Sequence, residues 1–558
     1  MPVVSLYQSR NLGIHVEDLD EEEGLLVTEG DGSEEDRRSE QEEEEEYEKM
    51  MDGNGNGWKR KRQLGMIYTL HLADAIVIAS LQPQLYILLK DTNLCGSADS
   101  TYWAGIVESV FALGSVAGLY WGCLSDRVGR RPIALMGLLG MCMSALIMGF
   151  STSALVCAIV RFFGGFMASS LRTMVWTMLG DVSRSSKSKA NNFSRLPLVS
   201  IGGLLGPIMQ AALAHRFGKD GDLWKMFPIL SSQLACAGLI LLVLIANFFL
   251  LEETLPVRSS DLEDDAQLSY ESASGLLEKE QAQSYLRETD QYSLDSPTET
   301  TFTRRRRPIV FSKTETAPLS LMQIMKAPSF MVLLISFSYL CLHTTTYDQL
   351  LPLIGNSPTS KGGLGLPCSI LSLVVFITGV IAAAVLYSWF GRTVERFGLL
   401  RFFRICSWLF PVVYVTTPLV ASISQFSEVV AFFSSVLSIL LKSIIANFAQ
   451  TLVVILVLNT SPDAFSLGTL MGFLQASTVL RSLAVGAVSL AMGLSGKKGD
   501  MLVNGVMWTV LTVIAIGGAI GAGWVKDKSI VGRDYTVEEL KWEVAYDVES
   551  SGDEEESP

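Results

Sequence analysis

The stretch that decides the fold is Gly122-Cys123-Leu124-Ser125-Asp126-Arg127-Val128-Gly129-Arg130-Arg131-Pro132, together with its shorter echo Gly391-Arg392-Thr393-Val394-Glu395-Arg396-Phe397-Gly398. Both fit G-x-x-x-[D/E]-R-x-G. Each copy sits between two apolar runs long enough to cross a hydrocarbon layer of about 30 Å. A repeated loop of this kind marks an internally duplicated membrane protein, built from two similar helical halves with a binding site between them near the bilayer midplane.

Working outward from the two loops, twelve apolar runs are placed at 64–89, 102–124, 132–151, 154–180, 194–214, 226–250, 329–354, 370–390, 402–422, 429–459, 465–494 and 501–524. The expected fold is therefore all-α, with twelve transmembrane helices in two pseudo-symmetric six-helix halves, 64–251 and 329–524. Both loops then fall between the second and third helix of their half. The composition agrees: 49% apolar and 18% charged residues over 558 positions exclude an ordinary globular enzyme of several soluble domains.

The charges are concentrated outside these runs. Residues 1–57 hold 19 Asp/Glu against 4 Lys/Arg, and residues 525–558 hold 11 against 4, whereas the whole chain carries a net charge of −14. The membrane body is thus net positive, and the acidic balance says nothing about a nucleic-acid partner, which is not expected. Acidic tails over 1–63 and 525–558 and a Ser/Glu/Gln-rich linker over 252–328 bury too little apolar surface to offset ordering entropy and are expected to be disordered. No basic region followed by an apolar one opens the chain, so no cleavable signal peptide is expected. Lys59 to Arg62, Arg127, Arg130, Arg131, Lys187, Arg304 to Arg307, Arg392 and Arg396 all fall on one side. By the positive-inside rule that side is cytosolic, together with both termini and the linker.

The first copy, G-x-L-S-D-R-x-G-R-R, resembles the signature loop of the major facilitator superfamily, and the resemblance extends over 64–524. It implies that the loop formed by Gly122, Asp126, Arg127, Gly129, Arg130 and Arg131 latches one of two access states. Gly391, Glu395, Arg396 and Gly398 form the second-half copy. Physically, the glycines permit a tight turn, Asp126 can sit against a helix N-terminus or a guanidinium, and the arginines can hold the loop at the headgroups. Simple topology anchoring by those arginines is the alternative. Gly202, Gly206 and Pro207 in the fifth run resemble the family's antiporter helix motif, although Ile208-Met209-Gln210-Ala211 replaces a further glycine pair there. Leu251-Glu252-Glu253-Thr254-Leu255-Pro256 resembles the sixth-helix ending of twelve-helix drug:proton antiporters. With the linker and tails, the chain is similar to fungal members related to tetracycline-resistance and zinc-induced-facilitator proteins. Glu21-Glu22-Glu23-Gly24-Leu25-Leu26 resembles an acidic dileucine signal read by sorting adaptors, consistent with a vacuolar or lysosome-like membrane, with the plasma membrane as the other location expected.

An ionisable side chain at membrane depth is a functional candidate by default. Asp74 lies ten residues into the first run, about 15 Å from its end at 1.5 Å per residue, which is the midplane. Leaving water disfavours a carboxylate's charged form, so Asp74 is the candidate proton carrier. A purely structural pair with an arginine is the alternative, and Arg161 is the candidate for that arginine. Glu108 is a secondary proton-coupling candidate that is also placed to reach water. Arg172, Lys442 and Arg481 are not assigned to cavity or lipid. His343 and Asp348 are five apart and do not share a helix face. Four histidines without an H-x-x-x-H pair offer no metal route. Tyr86, Trp103, Trp176, Tyr339 and Tyr347 are candidates for lining a cavity or for anchoring at the interface, and Cys95 and Cys368 are a candidate disulfide pair on the non-cytosolic side.

The second run reads Gly114-x-x-x-Gly118-x-x-x-Gly122 and the eleventh carries Gly468-x-x-x-Gly472, so these two are candidates to pack across the pseudo-twofold axis. No G-x-x-x-x-G-K-[S/T] sequence occurs, which argues against a primary pump. Not an enzyme and without cofactors, the expected protein is a proton-coupled antiporter in the lipid bilayer. It would export or sequester a small amphipathic organic compound, its partners being that substrate and protons. A facilitator for a nutrient or metal chelate and a non-transporting sensor are the alternatives.

Overall fold

The computed structural model describes residues 57–91, 100–151, 153–183, 185–213, 227, 229–255, 324–325, 328–356, 368–423, 428–461, 464–484 and 501–525. The described chain is helical throughout, without strands. In the first half the helices are α1 (Gly57–Asp91), α2 (Ser100–Gly114), α3 (Gly118–Val128), α4 (Arg130–Gly149), α5 (Ala154–Val182), α6 (Ser186–Phe193), α7 (Leu196–Ser200), α8 (Leu205–Leu213) and α9 (Leu230–Leu250). In the second half they are α10 (Pro328–Asn356), α11 (Cys368–Phe397), α12 (Leu399–Ile423), α13 (Glu428–Asn459), α14 (Ala464–Ala476) and α15 (Met501–Trp524). Among the described residues, nine helical stretches are long and apolar enough to cross a membrane, one of them, Ile106–Val128, running through both α2 and α3.

Two crossings are broken. A 3-10 turn at Ser115–Ala117 joins α2 to α3, and another at Ile201–Leu204 joins α7 to α8. Both breaks lie in glycine-bearing segments where a neighbouring backbone comes close. A Cβ at Gly114 would collide with the Phe162 carbonyl, and one at Gly203 would sit 2.9 Å from the Ala75 carbonyl. In lipid such close approach is what drives helices together.

The halves meet most closely where α3 crosses α14. A Cβ on Gly122 would collide with the Gly468 carbonyl, and one on Gly472 would lie 2.7 Å from the Gly118 carbonyl. The glycine stripes of the second and eleventh runs therefore do pack on each other across the molecule. Gly122→Leu is expected to lose about 1–3 kcal/mol through overpacking. Thermal unfolding in detergent tests this, and an unchanged midpoint would contradict the crossing.

Both repeats of the duplicated loop turn on their last glycine. α3 ends at Val128 and Gly129 takes φ +108°, while α11 ends at Phe397 and Gly398 takes φ +75°. Side chains rarely tolerate these angles, which explains why the pattern needs glycine there. Residues 252–255 depart from the expected disorder of the linker. Gln63 and the Glu252 backbone exchange two hydrogen bonds of 2.7 and 3.0 Å, and the Arg62 and Glu252 side chains pair. The tails up to residue 56 and beyond 525, linker residues 256–323, Leu25, Leu26 and Cys95 lie outside the described residues, as do the side chains of Cys368, Tyr86 and Trp103.

Candidate functional site

The signature loop is densely bonded. Asp126, at the end of α3, accepts from the Gly468 and Thr469 backbone N–H groups at 2.9 and 2.7 Å and from the Thr469 hydroxyl at 2.7 Å. These donors lie near the N-terminal end of α14, where the helix dipole favours a negative charge. Arg130 also lies 3.5 Å from its carboxylate. Arg130 is fully buried and pairs in addition with Asp181 at the end of α5. Asp181, whose carboxylate also accepts from the Thr254 hydroxyl at 2.9 Å, is a residue that motif reading missed. Its signal in the sequence was an acid at the end of a span that meets the loop's arginines.

The sixth-crossing ending completes the loop. Glu253 accepts from the backbone N–H of Arg130 at 2.8 Å and of Arg131 at 3.1 Å, supplying the acceptor that the first turn of α4 otherwise lacks. Arg131 donates to the Phe248 carbonyl 2.5 Å away. Glu253→Ala is expected to lower stability by about 1 kcal/mol, as loss of a helix cap does. A melting midpoint equal to wild type would contradict the capping role. Arg127 is exposed. The second-half copy differs: Glu395 and Arg396 are both exposed, so the repeat preserves the turn but not the buried ion-pair network.

At mid-depth the structure reassigns the arginines. Arg172 Nε donates to Asp74 Oδ2 at 2.9 Å, whereas Arg161 pairs with Glu108. Arg161 is thus not the partner of Asp74, and Glu108 is held in an ion pair rather than left to water. Arg161 and Arg172 are eleven residues apart, close to three full turns, so they share one face of α5. Phe111 lies between the two pairs, its ring centre 4.3 Å from the Arg161 guanidinium and 5.9 Å from that of Arg172. Asp74 is 4% exposed, and its Oδ1 makes no hydrogen bond within the described structure.

The antiporter-like motif holds this region in place. A Cβ on Gly203 or Gly206 would press on the α1 backbone at Ala75, Ile76 and Ser80, and one on Gly202 would meet the Leu72 side chain. The motif therefore seats the fifth crossing against α1 on both sides of Asp74.

A cavity of about 530 Å³ lies between the halves. The first half contributes His71, Trp176, Phe193, Leu196, Pro197 and Ser200, and the second half lines it from α10, α11 and α13. Asp74 does not line it, but His71, one turn earlier on α1, does. Ser200 Oγ donates to the Leu196 carbonyl at 3.0 Å and lies 2.8 Å from His71 Nε2. On the second-half wall, Lys442 and Asp348 form an ion pair of 2.5 Å. His343 does not take part: it is buried against Tyr414, its Nδ1 2.8 Å from the tyrosine hydroxyl. Trp176 lines the cavity, whereas Tyr347 is fully buried in an aromatic cluster with Tyr414 and Trp508. Tyr339 packs beside Gly518 and Arg481 is exposed. No cluster of metal-ligating residues occurs among the described residues.

At the signature-loop end the halves are joined by the Asp126 bonds and by Lys189, whose ammonium donates to the Asn459 side chain at 3.0 Å.

Comparison with known proteins agrees with the geometry. A family model described as Major Facilitator Superfamily matches residues 64–480. A protein of Aspergillus fumigatus described as a major facilitator superfamily multidrug transporter is 24% identical over 84% of this chain and 83% of its own length. ZINC INDUCED FACILITATOR 1 of Arabidopsis thaliana is 25% identical over 57% of this chain and 61% of its own. Among solved structures, the human organic anion transporter MFSD10 (TETRAN) superposes with a TM-score of 0.56 at 16% identity, covering 83% of this chain and 99% of that one. The proton:xylose symporter XylE superposes with a TM-score of 0.57 at 13% identity, over 84% and 98%.

Proposed function

Because the chain belongs to the major facilitator superfamily and is a multi-pass membrane transporter of that fold, we propose that it is a proton-coupled antiporter. It exports or sequesters a small amphipathic organic compound by alternating access. The observation that carries this reading is the Asp74–Arg172 pair, buried at mid-depth one helical turn from a histidine that lines the central cavity. A proton reaching Asp74 through His71 cancels the carboxylate charge and leaves Arg172 without its counter-ion. Such a change favours one arrangement of the halves over another by differential stabilisation. The relationship to a fungal multidrug transporter supports a small organic substrate.

With the signature loops, both termini and the linker on the cytosolic side, the Asp126 and Lys189 contacts hold the halves together at that side. The location proposed is the vacuolar or plasma membrane, with Leu25 and Leu26 read by a sorting adaptor.

The test is uptake into vesicles reconstituted with the purified protein, under an imposed pH gradient, with a panel of cationic drugs, weak acids and metal chelates. The expected result is uptake of at least one compound that collapses with the gradient. Flux that persists without the gradient would establish a facilitator instead, and binding without flux a sensor.

A further inference from the structure

The cavity's charged groups are placed unevenly. Neither mid-depth pair of the first half lines it, so the ionisable groups facing a bound molecule are His71 from α1 and the Asp348–Lys442 pair, which bridges α10 and α13. Within that pair the two partners differ sharply: the Lys442 side chain is 6% exposed and that of Asp348 is 59% exposed. The Lys442 ammonium also lies 5.0 Å from the centre of the Tyr347 ring, itself fully buried.

This asymmetry decides what the pair can bind. Releasing Asp348 costs little, because its carboxylate is already largely hydrated and its repulsion with a second anion is screened. Leaving Lys442 unpaired costs much more, since a buried charge without its partner is strongly destabilising. A cation binding Asp348 in place of Lys442 would create that unpaired charge. An anion binding Lys442 in place of Asp348 exchanges one carboxylate for another and leaves none. The remaining lining suits an apolar body attached to that anion. Trp176, Phe193, Leu196, Val375, Phe376 and Val380 supply apolar surface, while Asn447 and Gln450 add polar groups further along α13.

We propose that Lys442 is the headgroup site of the cavity, that Asp348 is its resident competitor, and that the compound carried is an amphipathic organic acid. This rests on reading the cavity as the substrate site, and it names the substrate class for that site. In a binding event the ligand carboxylate accepts from the Lys442 ammonium, Asp348 turns into the cavity water, and the aromatic part of the ligand packs between the halves. No proton transfer is required.

The test is equilibrium binding to the full-length protein in detergent without a pH gradient, so it succeeds or fails independently of proton coupling. The probes are naphthylacetate, its uncharged amide and naphthylmethylamine. Wild-type protein is expected to bind naphthylacetate in preference to the other two. Lys442→Gln is expected to weaken the acid at least about tenfold while leaving the amide unchanged, and Lys442→Arg to preserve binding of the acid. Asp348→Asn, which removes the competitor, is expected to tighten the acid by about tenfold, and it serves as an independent readout should Lys442→Gln fail to fold. Equal binding of acid and amide would overturn the proposal, as would wild-type affinity in Lys442→Gln or weaker acid binding in Asp348→Asn. Preference for the amine, or no binding of any probe by the wild type, would overturn it as well.

Discussion

Asp74→Asn is expected to reduce pH-gradient-driven uptake to the level of protein-free vesicles while ligand binding in the cavity persists. The amide is nearly isosteric, and its oxygen can still accept from Arg172 Nε, so the α1–α5 contact survives in weakened form. What it cannot do is alternate between charged and neutral. Arg172, with its side chain 18% exposed, would face a permanently neutral partner, and the protein would be held in the electrostatic state that protonation normally visits transiently. Because Asp74 does not line the cavity, its loss need not touch the bound compound. The measurement pairs vesicle uptake under a pH gradient with ligand binding in detergent. Unchanged gradient-driven uptake would remove Asp74 from the mechanism, and loss of both activities would make it structural.

Asp126→Asn is expected to open the loop end. The carboxylate accepts three hydrogen bonds from Gly468 and Thr469. An amide supplies only one accepting atom and directs an N–H₂ group at donors that also need acceptors. The favourable interaction of a negative charge with the α14 end is lost too. Together these losses amount to about 2–3 kcal/mol, enough to shift a two-state equilibrium by about 30- to 150-fold. Since Arg130 remains paired with Asp181, the first half itself should stay folded and inserted. Spin labels at positions 128 and 397, exposed at the ends of α3 and α11, should report a longer distance in the variant, and turnover should slow. An unchanged distance distribution with wild-type turnover would reduce the signature loop to a topology anchor.

Periodicity and composition carried the architecture a long way. The two G-x-x-x-[D/E]-R-x-G copies placed the helix ends, and the structure shows why, since Gly129 and Gly398 both need a positive φ. The glycine stripes at Gly118, Gly122, Gly468 and Gly472 marked the α3–α14 crossing because close backbone approach has a sequence signature. The cost of burying charge made Asp74 stand out, and the same rule flagged Arg172, Lys442 and Asp348 without saying whom each would meet.

Partner choice belonged to the tertiary structure. Arg161 and Arg172 share a helix face and a chemistry, so local sequence could not say that the first would take Glu108 and the second Asp74; only the depth at which α1 and α2 cross α5 decides it. The equality suggested by the duplicated loop also failed at this level, for Asp126 meets a helix end while Glu395 faces solvent. The sequence alone determined which residues must turn, cross closely or avoid lipid, because those constraints act on each residue through its own backbone and solvation. Which charge neutralises which, and which pair faces the cavity, is set by distances between segments far apart in the chain, and these exist only once the helices have packed.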